Sequence, residues 1–469
     1  MASNTSSSAN GANGAPALPT PSIATSTLHA DHPSALTDAN YAVAPVLSLS
    51  TTFRSPAPHS AHAQLLEDAA AGRAEFDMQD PGFHIYSRYS QTTNLRAEKV
   101  LSNVIGANAL TYSSGLAAVY AAVVHYAPKV IAIRRGYHGV HVSIKLYCRG
   151  REVKLIDLDD DYAEAVKGTV SSSETKSEGE SQGEGAGVQR GGLLVWVETP
   201  LNPTGEARDL AKYVAKAKRI PNAHVVVDST FAPPPLQNPF AQGADMVMHS
   251  GTKYFGGHSD LLCGVLAVPS KREWDSLWAD RTFSGATLGS MEAYLLLRSL
   301  RTLTVRVEKQ SATATLLARW LHSLSASWTQ EVAEEDEPFA RGKLIARTYH
   351  SSLQPRSDAD DVVIKGRSLE DPSFDPAAQM PGGHTPTFAF RTAKPDYATW
   401  IPHLTTYFTP ATSLGGVESL LEHRVKSDPS EDARIVRVSV GLEAFEDLRA
   451  DLRAAFAEVL RREAKGELK

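Results

Sequence analysis

The chain has 469 residues, 42% hydrophobic and 21% charged, which is long enough for two or three domains with a buried core. Its net charge of -6 gives no sign of a basic nucleic-acid-binding surface, and its two cysteines cannot form a disulfide framework. No apolar run approaches the roughly 20 residues of a membrane-spanning helix. We therefore expect a globular protein with neither a nucleic-acid nor a membrane partner.

In chain order, the sequence begins with a polar tail that leads into an arm and then two domains. Residues 1–27 contain almost no large apolar side chain, so we expect them to be disordered. The first basic residue is Arg54, so we find neither a secretory nor a mitochondrial targeting pattern and expect a cytoplasmic protein. We interpret residues 28–95 as an N-terminal arm, 96–300 as a large domain and 301–469 as a C-terminal domain.

Two polar segments interrupt these domains. Residues 168–192 are rich in Ser, Glu and Gly, and residues 355–381 are rich in Asp and Pro, so we interpret both as inserted loops. Elsewhere in the large domain, short apolar runs alternate with helical patterns, which predicts a mostly parallel sheet with helices on both faces. The predicted strands are Val130–Ile133, Val153–Ile156, Leu193–Val197, Val225–Val227 and Met246–Met248.

A helical stretch starts at Ser290, and the C-terminal domain that follows it shows a mixed pattern of helices and strands. A helix is predicted there around Ala312–Ser323. Strands are predicted near Thr387–Phe390 and Val436–Val440, followed by a helix from Ala444. These elements predict a smaller α+β domain.

Lys253 carries the strongest chemical signal in the chain. It ends the segment Ser250-Gly251-Thr252-Lys253, which follows a strand-like run, and two further glycines come shortly after it. This setting suits a lysine that forms a Schiff base, with the hydroxyls of Ser250 and Thr252 holding a phosphate beside it. His249, His258 and Cys263 lie nearby, but no second ligand pair has metal-binding spacing, so we expect no metal site.

Other candidate residues also follow predicted strands. Asp228 ends the run Val225–Val227, where a carboxylate points into the ligand crevice of an α/β sheet; alone, it is more often a turn or helix cap. Asn202 lies in a turn with two prolines and a glycine. Ser114 and Gly115 open a helix after the strand-like run Ala109–Tyr112, which suits either a phosphate site or a plain cap.

The segment around Lys253 closely resembles the pyridoxal-phosphate attachment segment of the transsulfuration enzymes, the cystathionine synthases and lyases. Three further segments support the likeness: Asp228-Ser229-Thr230-Phe231, Ser413-Leu414-Gly415-Gly416 and Arg437-Val438-Ser439-Val440-Gly441. The resemblance implies the type I, aspartate-aminotransferase-like α/β fold with a smaller C-terminal α+β domain. It also implies pyridoxal 5'-phosphate as the cofactor.

The resemblance assigns roles to individual residues. It implies that Lys253 and Tyr137 are catalytic, with Tyr137 stacked on the pyridine ring, and that Arg437, Ser413 and Thr412 bind substrate. The implied cofactor-binding residues are Ser114, Gly115, Leu116, Tyr137, Asn202, Asp228, Ser250, Thr252, Lys253, Tyr86 and Arg88. Without the resemblance, Arg437 would be interpreted as an arginine on a strand that pairs with an acidic residue.

Tyr86 and Arg88 match a family pair that reaches the phosphate of a neighbouring subunit, so the resemblance implies that the arm contacts a neighbour within a homotetramer of catalytic dimers. The sequence departs from the family at His138, at residues 91–93 and at Thr412.

The resemblance implies a cystathionine γ-synthase-like activity on a small amino-acid substrate. An O-acylhomoserine would exchange its acyl group for a thiol such as cysteine. A β- or γ-lyase acting on cystathionine would use the same residues and stays open. A catalytically silent binding or regulatory relative is the remaining alternative, and the presence of Lys253, Asp228 and Arg437 argues against it.

Overall fold

Two β-sheets, each covered by helices, organise the part of the chain that the structure describes. The computed structural model describes residues 20–31, 44–74, 77–79, 81–168, 189–354 and 373–468. Within them, no helix combines the length and apolar character needed to cross a membrane.

The helices are α1 (Ile23–His29), α2 (Ala61–Ala70), α3 (Thr92–Ile105), α4 (Gly115–Tyr126), α5 (His138–Cys148), α6 (Tyr162–Ala165), α7 (Leu210–Ala217), α8 (Lys271–Ser284), α9 (Ser290–Leu300), α10 (Leu303–Ser323), α11 (Pro376–Gln379), α12 (Pro395–Leu404) and α13 (Phe445–Ala464). The strands are β1 (Asn108–Tyr112), β2 (Val130–Ile133), β3 (Lys154–Ile156), β4 (Leu193–Glu198), β5 (Ala223–Asp228), β6 (Met246–Ser250), β7 (Gly264–Val268), β8 (Ile345–Tyr349), β9 (Thr387–Thr392), β10 (Thr409–Pro410), β11 (Leu420–His423) and β12 (Ile435–Ser439).

The large sheet is mostly parallel, as the sequence predicts. Its strand order is β1-β7-β6-β5-β4-β2-β3. Strands β3, β2, β4, β5 and β6 run parallel, and β7 pairs antiparallel with both β6 and β1. The central strands β4 and β5 contribute apolar side chains to cores on both faces of the sheet, which explains their nearly continuous hydrophobic sequences.

The second sheet forms the smaller C-terminal α+β domain that the sequence predicts. Its order is β10-β11-β12-β9-β8, and every pairing except β10 with β11 is antiparallel. Helices α10, α12 and α13 bury their apolar faces against this sheet in one core. Strands β7, β8, β10 and β11 were not predicted from the sequence.

The N-terminal boundary differs from the prediction. Residues 1–19 of the predicted disordered tail lie outside the described residues, but helix α1 begins inside that tail at Ile23. The Ser22 side chain caps it by accepting from the Thr25 backbone N–H. Just beyond the helix, the fully buried carboxylate of Asp31 pairs with Arg96 at 2.9 Å and with Arg301 at 2.7 Å. These long-range ion pairs are invisible in the local composition that predicts disorder.

The predicted loop at residues 355–381 also differs in part. Residues 355–372 lie outside the described residues, as do residues 169–188 of the other predicted loop. In contrast, Met380 is buried, and the buried Gln379 side chain accepts a hydrogen bond from the Leu210 backbone N–H at 2.9 Å. On the other side of the gap, Gln354 exchanges two hydrogen bonds with the Ala207 backbone, at 2.8 and 3.0 Å. Both flanks of residues 355–372 are therefore attached to the stretch at 207–210.

The Asp31 ion pairs generate a stability prediction. Asp31→Asn should lower the free energy of unfolding by about 2 kcal/mol, because it leaves two partly buried arginines without their counter-charge. A matched control is Asp68→Asn, which removes a pair with Arg73, whose side chain is 61% exposed. That change should cost less than about 1 kcal/mol. Urea denaturation measures both; equal effects would show that the Asp31 pairs do not anchor α1.

Candidate active site

A cavity of about 480 Å³ lies between the carboxyl ends of the parallel strands and the C-terminal domain. Such a crevice is the usual ligand site of an open α/β sheet. It brings together nearly all of the predicted site residues. These are Ser114, Gly115, Leu116, Tyr137, Asn202, Asp228, Ser250, Thr252, Lys253, Thr412, Ser413 and Arg437.

Lys253 occupies the loop between β6 and β7, and its ammonium nitrogen Nζ donates to Ser413 Oγ at 2.7 Å. Burial and the nearby Arg437 cation lower the pKa of Lys253 to about 8, against the opposing effect of Glu422. A substantial fraction of this amine is therefore neutral, and nucleophilic, near physiological pH. The glycine at 415 permits the close approach of the two domains here, since its φ is +81° and a Cβ atom would lie 2.9 Å from the Tyr254 nitrogen.

Two buried carboxylates lie side by side at the ends of β4 and β5, where Glu198 and Asp228 are Cα partners. Asp228 Oδ1 accepts from the backbone N–H of Thr230 at 3.0 Å and from its hydroxyl at 2.6 Å. Burial raises the pKa of Asp228. Burial, with the added repulsion of Asp228, raises the pKa of Glu198 to about 8.

Glu198 holds two neighbouring loops in place. Its Oε2 accepts from the Tyr137 backbone N–H at 2.7 Å, and its Oε1 accepts from the Asn202 backbone N–H at 2.8 Å. The resemblance matches Glu198 to a family carboxylate but leaves its role open, because the two donors are backbone groups that no motif reveals. This carboxylate positions the backbone of Tyr137 and Asn202, both predicted to bind the cofactor, relative to Asp228.

The N-terminus of α4 forms one end of the cavity. Ser114 Oγ accepts from the Ala117 backbone N–H at 3.1 Å and so caps the helix. A Cβ atom on Gly115 would lie 3.0 Å from Ser250 Oγ, so glycine allows this hydroxyl to stand against the helix end. Backbone N–H groups, the helix dipole and hydroxyls thus converge as a phosphate site requires. The Thr252 hydroxyl instead accepts from the Cys263 backbone N–H at 2.9 Å.

Arg437 projects from β12 into the other end of the cavity and is only 4% exposed. Its guanidinium donates to Asn202 Oδ1 at 3.1 Å and to the Ser413 carbonyl at 2.9 Å, and it forms an ion pair with Glu422. Burial lowers the pKa of Arg437 to about 10. A fixed guanidinium in a cavity is well suited to bind a carboxylate through two parallel hydrogen bonds.

Tyr86 and Arg88 do not line the cavity. Tyr86 is 40% exposed, and Arg88 donates to the Thr282 carbonyl at 3.1 Å with its guanidinium 5.6 Å from the Tyr86 ring. Tyr137, by contrast, lines the cavity with 39% of its surface exposed.

Several cavity residues were not predicted from the sequence. Glu198, Thr230, Arg424 and Ser427 line the cavity, and Arg424 is buried. Arg424 and Ser427 follow β11, a strand that the sequence analysis did not identify. Among the described residues, no group of three His, Cys, Asp or Glu side chains could hold a metal ion.

Comparison with known proteins gives this site a context. Residues 24–332 match the family of Cys/Met metabolism PLP-dependent enzymes. A cystathionine beta-lyase of Lactococcus lactis is 28% identical and covers 80% of this chain and 89% of its own. A cystathionine gamma-synthase of Escherichia coli is 30% identical over 80% of this chain and 88% of its own length. The solved structure of a methionine gamma lyase from Micromonospora echinospora superposes with a TM-score of 0.68 at 28% identity. The match covers 92% of this chain and 98% of that one.

The family match spans well over half of the chain and includes Lys253, Asp228 and Asn202. The relatives differ in the reaction that their names specify, but all act in sulfur amino-acid metabolism. The protein therefore belongs to the PLP-dependent enzymes of Cys/Met metabolism, the transsulfuration family, and pyridoxal 5'-phosphate is its cofactor.

Proposed function

We propose that this enzyme catalyses γ-replacement on an O-acylhomoserine by a thiol such as cysteine, the reaction of a cystathionine γ-synthase. The observation that carries the proposal is that the amine of Lys253, whose pKa is lowered to about 8, lies in the same cavity as Arg437. Replacement at Cγ requires a base that can act at two adjacent carbons of a substrate held by its carboxylate. The similarity to the E. coli cystathionine gamma-synthase supports the same assignment.

The cavity has residues that suit each polar group of the cofactor. The α4 N-terminus with Ser250 suits the phosphate group, and Lys253 lies between this end and Arg437. Asp228 Oδ1 is held by Thr230, whereas its Oδ2 has no hydrogen bond to any described residue. A buried carboxylate oxygen of this kind suits a protonated pyridine nitrogen. Asn202 would then lie beside the ring hydroxyl.

Each residue contributes a distinct step. When bound, pyridoxal 5'-phosphate supplies the electron-withdrawing ring that stabilises negative charge at the substrate Cα. Asp228 would keep a proton on the ring nitrogen, and Arg437 would bind the substrate α-carboxylate. The Lys253 amine would remove the Cα proton and then a Cβ proton, and the Cγ–O bond would break to release the acyl group as a carboxylate. The thiol would lose its proton to solvent and form the Cγ–S bond, after which protons return to Cβ and Cα.

A lyase acting on cystathionine is the second candidate. The 28% identity to a cystathionine beta-lyase over most of both chains favours it. Such an enzyme would use the same Lys253, Asp228 and Arg437, because the cofactor performs the chemistry and the pocket selects the bond.

We also propose that the enzyme is a homotetramer built from catalytic dimers. Tyr86 and Arg88 stay outside their own cavity, and the exposed ring of Tyr86 lies beside the Arg88 guanidinium. This leaves the pair available to the phosphate end of a neighbour's cavity. Residues 28–95 would then act as an arm between subunits.

The proposed reaction is tested by product analysis of the cofactor-loaded enzyme. One sample contains O-acylhomoserines with cysteine, and the other contains cystathionine alone. We expect cystathionine in the first, detected by mass spectrometry. Lys253→Ala should lose both this activity and the visible absorbance of the wild-type holoenzyme. Homocysteine or cysteine with a keto acid, formed only in the second sample, would reject the synthase in favour of a lyase.

The lowered pKa of Lys253 predicts how the apoprotein captures its cofactor. Below about pH 8 the amine is protonated and cannot attack, so the reconstitution rate should rise through a midpoint near 8. Arg437→Ala removes a neighbouring positive charge and should raise that midpoint by roughly one pH unit. The appearance of visible absorbance measures the rate. Arg449→Ala, on α13, is the control, and a wild-type midpoint near that of a free lysine would contradict the prediction.

The shared cavity predicts complementation between two inactive variants. Co-expressed Lys253→Ala and Arg88→Ala chains should regain roughly a quarter of wild-type activity, because half of randomly paired dimers hold one intact cavity. Each variant expressed alone provides the baseline. Activity that merely equals the average of the two variants would place Arg88 outside the neighbour's site.

A further inference from the structure

A second arginine faces the cavity beside Arg437. Arg424 begins a 3₁₀ turn, Arg424–Lys426, immediately after β11. It lines the cavity together with Ser427, yet only 3% of its surface is exposed. A guanidinium this deeply buried in the wall of a ligand site is costly unless something pairs with it.

The described residues give Arg424 few partners. Its NH1 group donates to Glu422 Oε1 at 3.3 Å, and its buried Nε has no hydrogen-bond partner among them. Arg437 differs, because it bonds to Asn202 and Ser413 as well as pairing with Glu422. The guanidinium of Arg424 is thus incompletely paired by the described residues, although it stands in the wall of the cavity.

The charges around Arg424 are also unbalanced. Glu422 is shared between Arg424 and Arg437, so one buried carboxylate serves two buried cations. Asp428 and Glu431 feel the Arg424 charge, but within the described ranges neither lies at ion-pair distance from it. When the α-carboxylate of a substrate is bound to Arg437, Arg424 still has only its 3.3 Å contact with Glu422.

We propose that Arg424 binds a second carboxylate, at the end of the ligand that is distant from its α-carboxylate. The inference rests on the proposed function and deepens it by naming the substrate class: ligands with two carboxylates. The second carboxylate belongs either to a dicarboxylic acyl group on homoserine or to the incoming amino-acid thiol. A neutral, methionine-like side chain offers Arg424 no partner.

Equilibrium titration tests this without turnover. The holoenzyme is titrated with L-2-aminoadipate, which carries a distal carboxylate, and with L-norleucine, which does not; visible absorbance reports binding. We expect the wild type to bind aminoadipate at least about 10-fold more tightly. Because neither ligand has a leaving group, this result stands even if the proposed reaction fails. Equal affinities in the wild type would overturn the proposal.

Variants assign the preference to Arg424. In Arg424→Met the ratio of the two affinities should fall to near one, and Arg424→Lys should restore part of it because the charge returns. The matched control is Lys426→Met, which removes an exposed cation from the same turn. An unchanged ratio in Arg424→Met would assign the preference elsewhere and refute the role of Arg424. The holoenzyme absorbance and thermal midpoint of each variant check its folding.

Two kinetic comparisons then distinguish the sources of the carboxylate. O-succinylhomoserine against O-acetylhomoserine tests the acyl group, and cysteine against cysteamine tests the thiol. Loss of preference for the carboxylate-bearing member of one pair, in Arg424→Met but not in Lys426→Met, identifies the source. If both preferences survive in Arg424→Met, the residue does not read a carboxylate during turnover and the proposal fails.

Discussion

The register between β4, β5 and β6 is the constraint on which the site depends. Glu198 is opposite Asp228, so β4 and β5 end together, and Asp228 is opposite Met248, two residues before the end of β6. Successive side chains on a strand point to opposite faces, and a slip of one residue would turn Asp228 away from the crevice. The loop that carries Lys253 leaves β6 just beyond this line. The relation between the carboxylates and the amine is therefore set by backbone hydrogen bonds rather than by contacts among the reactive groups.

Two buried arginine–glutamate arrangements show how differently the fold treats charge. Glu98 accepts from the Thr111 backbone at 2.9 Å and from its hydroxyl at 2.7 Å, and it pairs with Arg281; neither residue lines the cavity. That carboxylate is well supplied with donors and supports packing of α3 against β1. At Glu422 the balance is reversed, because two cations share one acid beside an open cavity. What distinguishes Arg424 is its place in the wall of a cavity, where a ligand can supply the missing acceptor.

The sequence was most informative where chemistry is concentrated in short local patterns. Lys253 with its flanking hydroxyls, and Asp228 at a strand end, could be identified because neighbouring residues fix their setting. The parallel strands were recognisable because burial on both faces makes them continuously apolar. Arg424 could not be found in this way, because its position depends on the pairing of β11 with β12. In the sequence, an arginine after an alternating run is typical of a surface residue. Helix α1 was missed because its support comes from Arg96 and Arg301, far away in the chain.

The attachment of Gln354 and Gln379 to the same short stretch has a consequence for how this enzyme can diversify. The two side chains bond the backbone at Ala207 and Leu210, so the chain leaves and returns to one fixed location on the large domain. Loop-closure entropy grows only slowly with length once the ends are held together. Residues can accordingly be gained or lost between positions 355 and 372 over evolutionary time without altering the distance between the domains that enclose the cavity.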